Sequence, residues 1–173
     1  MYEKFENILL AIAISIIILI ILQFFKPQEK IFYYEFYNIL IPFRVNYNES
    51  LKIKVINEDI LNLSLELLLT NFFKNVSISF FENDNLASIQ KSAYQIAMVL
   101  SIVKSYKNLK FSIEGKKYGK DFFVIFLKEK DCKESYVKAE NISFVEICGK
   151  NEKELELSSA RFLIYLLEKG KKL

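Results

Sequence analysis

Hydrophobic positions follow three different patterns along this chain, and each predicts a different element. From Ile8 to Phe25 the run ILLAIAISIIILIILQFF is apolar on every face, with only Ser15 and Gln23 polar. As a helix, that run would span about 27 Å, close to the hydrocarbon thickness of a bilayer. It is longer than the apolar core of a secretory signal peptide. It ends in Gln23-Phe24-Phe25-Lys26-Pro27, with neither a small-residue cleavage pattern nor a lipid-accepting cysteine. The run therefore reads as an uncleaved single-pass anchor in contact with the lipid bilayer through residues 8–25. Pro27 would stop it, and Phe24, Phe25, Phe32, Tyr33 and Tyr34 would supply interfacial aromatics. A buried core helix is the competing interpretation.

Beyond Lys30 the patterns are shorter. Residues 31–37 and 39–46 are rich in aromatic and β-branched side chains and predict strands, the second confined to an edge by Pro42. Asn46–Ser50 reads as a turn, and Leu51–Ile56 as a strand with Lys52 and Lys54 facing water. Residues 57–74 fit both periods. Asn57 as an N-cap, followed by Glu58 and Asp59, favours a helix. Val76–Phe81 predicts a strand, and Leu86, Ile89, Ala93, Ile96, Leu100 and Val103 predict one helix from Asn85 to Tyr106. Leu109–Ile113 and Phe122–Leu127 read as strands around a turn at Gly115–Lys120, and Ile142–Ile147 as another. Asn151 with Glu154 opens a last helix that runs to Lys169, closed by Gly170. The expectation is an α/β layered domain with a mixed sheet and about three helices, an α+β arrangement being the alternative. The organisation is a tail over 1–7, the membrane helix over 8–25, a linker over 26–30 and a single domain over 31–173.

Composition narrows the function classes. The 173 residues carry a net charge of only +3, which makes no electrostatic case for nucleic-acid binding. Histidine is absent, which removes imidazole-based acid–base catalysis, Ser–His and Cys–His nucleophile pairs, and nearly every catalytic zinc arrangement. Orientation signals conflict. Lys26 and Lys30 outweigh Lys4 by a single lysine, which favours a cytoplasmic domain. Four Asn-x-Ser sequons, at Asn48, Asn62, Asn75 and Asn141, stand against about one expected by chance. They are candidate glycosylation sites and, with the single pair Cys132 and Cys148, tip the expectation towards a domain outside the cytoplasm.

Little of the sequence carries chemistry. Gly115–Asp121 lacks the spacing and the Ser or Thr of a phosphate loop and reads as a β-turn. Ser88-Ile89-Gln90-Lys91 and Ser101-Ile102-Val103-Lys104 match a Ser-x-x-Lys nucleophile motif without its companion motifs. Of these, Ser101 and Lys104 are the candidate catalytic pair. Nine lysines against four acids between Lys104 and Lys133 make Lys116, Lys117 and Lys120 candidates for binding an anionic surface. No cofactor or metal is expected. If Ile142–Ile147 pairs antiparallel with Phe122–Leu127, Cys148 lies nearer Asp121 than Cys132. That separation exceeds the roughly 7 Å a disulfide tolerates unless the connection folds back along the sheet, so free thiols are expected over a bridge, with Cys148 buried at a strand end.

The stretch Ile142-Ser143-Phe144-Val145-Glu146-Ile147-Cys148-Gly149-Lys150-Asn151-Glu152-Lys153-Glu154-Leu155, with the N-terminal anchor and a Lys/Glu/Ile-rich composition lacking His and Trp, resembles uncharacterised single-pass membrane proteins of thermophilic archaea. The specific part covers about the last forty residues, and no functional residue comes with it. The expected function is a membrane-tethered, non-enzymatic domain of the cell envelope that binds a protein partner or surface polymer. The alternatives are a membrane-bound hydrolase or transferase using the Ser/Lys pair, and an accessory subunit of a membrane complex.

Overall fold

The computed structural model describes residues 31–81, 84–104, 109–113 and 122–173, with Lys104 and residues 109–113 described by their backbone. The expected membrane helix over 8–25, its tail and its linker lie outside the described residues, as do Lys116, Lys117 and Lys120. In chain order the elements are β1 Phe32–Phe36, β2 Ile39–Phe43, α1 Tyr47–Leu51, β3 Lys54–Ile56, α2 Glu58–Leu69, β4 Asn75–Phe80, α3 Leu86–Lys104, β5 Leu109–Ile113, β6 Phe122–Lys128, β7 Tyr136–Asn141, β8 Phe144–Cys148 and α4 Glu152–Gly170. This is a mixed α/β fold with a mixed sheet, in three layers.

The main sheet has six strands in the order β3-β7-β8-β6-β4-β5. Strands β8, β6, β4 and β5 are mutually parallel, β7 runs antiparallel to β8, and β3 is parallel to β7. Val76 and Ile78 of β4, Phe123, Ile125 and Leu127 of β6, Val145 and Ile147 of β8, and Val137 and Ala139 of β7 are fully buried on one face. Helices cover that face. α2 lies against β7, α4 against β8 and β7, and α3 against β6, with α4 touching the other three helices.

The third layer is the β1–β2 hairpin, on the outer side of the helices. Its turn residues Tyr37 and Asn38 both have positive φ (43° and 65°), the geometry of a two-residue type I′ turn. Phe36, Ile41 and Phe43 turn inward and are buried. The hairpin meets α4 where the Tyr37 hydroxyl donates to the Gly170 carbonyl (3.3 Å), and meets α3 where Gln95 donates to the Pro42 carbonyl (3.4 Å). Packed from both sides, α4 buries Leu155, Phe162, Leu163, Ile164, Leu166 and Leu167 completely. Burial of that order is worth about 1.5–3 kcal/mol per side chain, so α4 is the centre of the core.

The structure differs from expectation in four places. Asn46–Ser50 is not a simple turn: Asn46 caps the short helix α1, its side chain accepting from the Glu49 N–H at 3.3 Å. Helices therefore number four among the described residues, not about three. The third strand is only Lys54–Ile56. Asn57 does precede α2, but in the left-handed region (φ 59°) with no side-chain cap; its amide donates instead to the Ala139 carbonyl at 2.9 Å. Finally, Tyr136–Asn141 forms a strand that was not anticipated, and that strand reorders the sheet.

Candidate functional site

Two features, one at the carboxyl edge of the sheet and one on its face away from the helices, gather polar chemistry. The first is the corner where β6 and β8 end. Because β7 returns antiparallel and β8 turns back beside it, β8 inserts next to β6 and runs parallel to it, with Lys128 opposite Cys148. Cys132 follows Lys128 by one short turn, and the two cysteines form a disulfide with Cα atoms 6.1 Å apart. The expectation of free thiols is therefore overturned. It rested on an antiparallel β6–β8 pair, which would have put the two cysteines at opposite strand ends. Cys148 is buried at its strand end, as expected, while Cys132 is half-exposed.

The corner is tightly built. The Gly149 N–H donates to the Lys128 carbonyl (3.0 Å), and a Cβ at Gly149 would lie 2.2 Å from the Leu155 nitrogen, so no other residue fits there. Ser158 donates to the Cys148 carbonyl at 2.8 Å. Asn151 accepts from the Glu154 N–H at 3.0 Å, the cap expected from the sequence. The Glu154 carboxylate takes the Ser135 hydroxyl, which in turn accepts from the Lys150 N–H at 3.3 Å. Bridge and hydrogen bonds together fasten the β6–β7 connection to the entry of α4.

The second feature is the sheet face away from the helices. Lys138, Glu146 and Phe126 stand opposite one another on β7, β8 and β6. Tyr136 donates to the Glu146 carboxylate at 2.5 Å. Burial, then the hydrogen bond and charge of Glu146, push the Tyr136 phenol well above its ordinary value, so it stays a neutral donor. Lys138 pairs with Glu140 at 2.6 Å, and that hydrogen bond raises it, so it stays an ammonium. Phe126 stacks on Phe144 (6.0 Å) and meets Phe81 edge-on (4.8 Å). A fixed phenol–carboxylate pair, a cation and a row of phenyl rings suit hydrogen bonding and stacking; neither titratable group is poised for proton transfer near neutral pH. The Tyr136–Glu146 pair escaped the sequence analysis because its strand did. The alternation of Val137 and Ala139 with Tyr136 and Lys138 was the available signal.

The residues singled out from sequence are dispersed. Ser101 is exposed on α3 and donates to the Ala97 carbonyl of its own helix at 2.8 Å; the Lys104 side chain lies outside the described residues. In the other Ser-x-x-Lys match, Ser88 is buried while Lys91 reaches out to Glu152 and Glu156. Of the sequons, Asn48 lies in α1 with Ser50 buried, Asn62 in α2 with Ser64 buried, and Asn75 opens β4 with Ser77 buried. Asn141 alone occupies an exposed turn, its side chain accepting from both the N–H and the hydroxyl of Ser143 at 2.9 Å. Among the described residues no cluster of three or more Cys, Asp or Glu side chains could hold a metal. A groove of about 540 Å³ runs beside α3, lined mainly by Phe80, Leu86, Ile89, Ala93 and Tyr94.

No protein-family model matches the chain, and neither a curated protein nor a solved structure is significantly similar to it.

Proposed function

We propose that the chain is a single-pass membrane protein whose domain, residues 31–173, is held outside the cytosol and works by binding a protein partner or surface polymer. The observation that carries this reading is the Cys132–Cys148 disulfide, in a chain that also contains the charge-free run Ile8–Phe25. Disulfides persist in oxidising compartments and are kept reduced in most cytosols, intracellular proteins of hyperthermophiles being the exception. The sheet face away from the helices supports binding over catalysis. Hydrogen bonds to Glu146 and Glu140 keep Tyr136 neutral and Lys138 charged, and the half-buried rings of Phe126 and Phe144 add flat apolar area beside them.

The anchor is tested by washing cell membranes with alkaline carbonate. The full chain stays in the membrane pellet until detergent is added; release by carbonate alone would overturn the single-pass reading. Copurification from mild detergent then tests the partner. A specific companion retained by the unaltered chain and lost from a Phe126→Ser, Phe144→Ser variant is the expected result. Retention undiminished in that variant would remove the sheet face from the reading.

A further inference from the structure

The β1–β2 hairpin presents two unlike faces. Register pairs Tyr33 with Pro42 and Glu35 with Leu40, and these four point away from the helices. On that face Tyr33 and Leu40 are each 62% exposed; Ile31, just before β1, and Tyr37 and Ile39, at the turn end, are 47–63% exposed, Ile39 lying on the side of its partner Phe36. Scattered apolar side chains on a surface are ordinary, but a cluster on one small element marks a contact. The rest of the inward face is packed. Phe32 stacks on Phe43 at 4.8 Å, and Phe36 packs into the core.

The position of the hairpin in the chain says what its outer face meets. Only residues 26–30 separate Ile31 from Phe25, the last residue of the apolar run. Six residue steps reach at most about 20 Å. A strand of five residues is itself about 17 Å long. A domain tethered that closely keeps the start of this hairpin within about 20 Å of the bilayer surface. Its exposed tyrosines and aliphatics are the side chains favoured where one end of a residue is apolar and the other wet. Cations lie near it. Arg44 is exposed just past β2, and Lys171 and Lys172 follow the end of α4, whose Gly170 carbonyl accepts from Tyr37. Lys171 stands 4.6 Å from the Tyr34 ring. Lys26 and Lys30 lie in the linker. Cations at these positions complement anionic headgroups. Glu35 is the one acid on the outward face, and it remains hydrated when the hairpin lies at headgroup depth.

We infer that the outer face of the β1–β2 hairpin lies on the bilayer, seated at the headgroup–acyl boundary. It is a second membrane contact that fixes how the domain stands over its anchor. This inference rests on the single-pass reading. Held in this way, the hairpin is the layer nearest the lipid, and the sheet face on the far side of the helices points away from the membrane towards whatever it binds.

The test uses the full chain in vesicles of phosphatidylcholine and phosphatidylglycerol, with a nitroxide label attached without reductant at Leu40→Cys or, as a control in the sheet layer, at Ile142→Cys. Both positions are exposed, so labelling leaves the core intact. Retention of the protein by floated vesicles after carbonate reports the anchor. Relaxation of the label by oxygen, relative to a water-soluble nickel chelate, reports the hairpin. The expected result is retention with an oxygen-to-nickel ratio several-fold higher at position 40 than at position 142. Retention with equal ratios would overturn the hairpin contact alone, whereas loss from the vesicles would overturn the anchor on which it depends. Spectral broadening at position 40 that vanishes on dilution with unlabelled protein would seat a second copy on this face and overturn the lipid contact.

Discussion

Cys132 and Cys148 are sixteen residues apart in sequence, yet their Cα atoms stand 6.1 Å apart and their sulfurs are joined. Strand order brings them together. β6 leads into the connection that carries Cys132, β7 descends two places away, and β8 rises in the gap so that its end, Cys148, arrives beside the end of β6. A bridge here closes a loop containing the whole β7–β8 hairpin. In the chain-entropy account a loop of this size contributes about 3 kcal/mol by restricting the unfolded chain. Reducing the protein, or replacing half-exposed Cys132 by Ser, is expected to lower the unfolding free energy by about that amount in urea titrations. Coincident curves for the oxidised and reduced protein would show that the bridge contributes nothing to the fold.

Gly149 and Gly170 should respond very unequally to alanine. At Gly149 the added methyl would meet the backbone of α4 at 2.2 Å, and backbone cannot swing aside. Gly149→Ala is expected to cost more than about 3 kcal/mol, in the range reserved for broken cores. At Gly170 the methyl would meet side chains only, the edge of the Phe36 ring at 3.2 Å and Val103 at 3.5 Å. Alanine is favoured over glycine within a helix by up to about 1 kcal/mol, which offsets the shift asked of the ring, so Gly170→Ala should cost far less than Gly149→Ala. Thermal midpoints of the two variants, measured side by side, check the contrast.

Alkaline pH should weaken the protein through its tyrosines. The Tyr136 phenol is raised by burial and then by Glu146, Tyr165 by burial and then by its bond to Glu58, and Tyr34 by burial and then by Glu168. A phenol raised in the folded state contributes stability that is complete below its unfolded value, about 10, and lost as pH climbs beyond it. Tyr136→Phe removes the hydrogen bond to Glu146 and should cost about 0.5–1.5 kcal/mol near neutral pH. That gap should hold up to about pH 10 and close above it. A gap that widens at alkaline pH would mean that Tyr136 ionises more readily in the folded protein.

Glycan attachment, if the domain matures in a glycosylating compartment, should be confined to Asn141. The serines of the other three sequons, Ser50, Ser64 and Ser77, are buried, whereas Asn141 sits in an exposed turn. Asn141→Gln is expected to abolish any glycan mass, with Asn48→Gln, Asn62→Gln and Asn75→Gln without effect. A mass shift that survives Asn141→Gln would contradict this assignment.

What could be read from the sequence depended on how strongly each element signals its own period. α3 and α4 each run nineteen residues with a regular apolar stripe, and the Asn151–Glu154 cap marks the start of α4; both helices were legible. α2 was legible from its acidic first turn, although Asn57 turns out to serve Ala139 rather than the helix. β7 was not. Its inward residues are only Val137 and Ala139, its turn into β8 uses Asn141 and Ser143 with no glycine, and charged side chains fill the alternate positions. Missing that strand inverted the inferred direction of β8 relative to β6, and with it the fate of both cysteines. The Tyr136–Glu146 pair went unseen for the same reason: it is a diagonal contact across a hairpin that had not been drawn. Pairing partners are non-local, and one unread strand changes every neighbour.

The account stands or falls on which side of a membrane residues 31–173 lie. The most direct measurement is protease digestion of intact cells carrying the full chain with a tag after Leu173, followed by detection of the tag in membranes recovered before and after lysis. The account predicts that the tag is lost from unbroken cells while a cytosolic marker survives. A tag that stays protected until lysis, on a chain still retained by the membrane, would place the domain in the cytosol and contradict it.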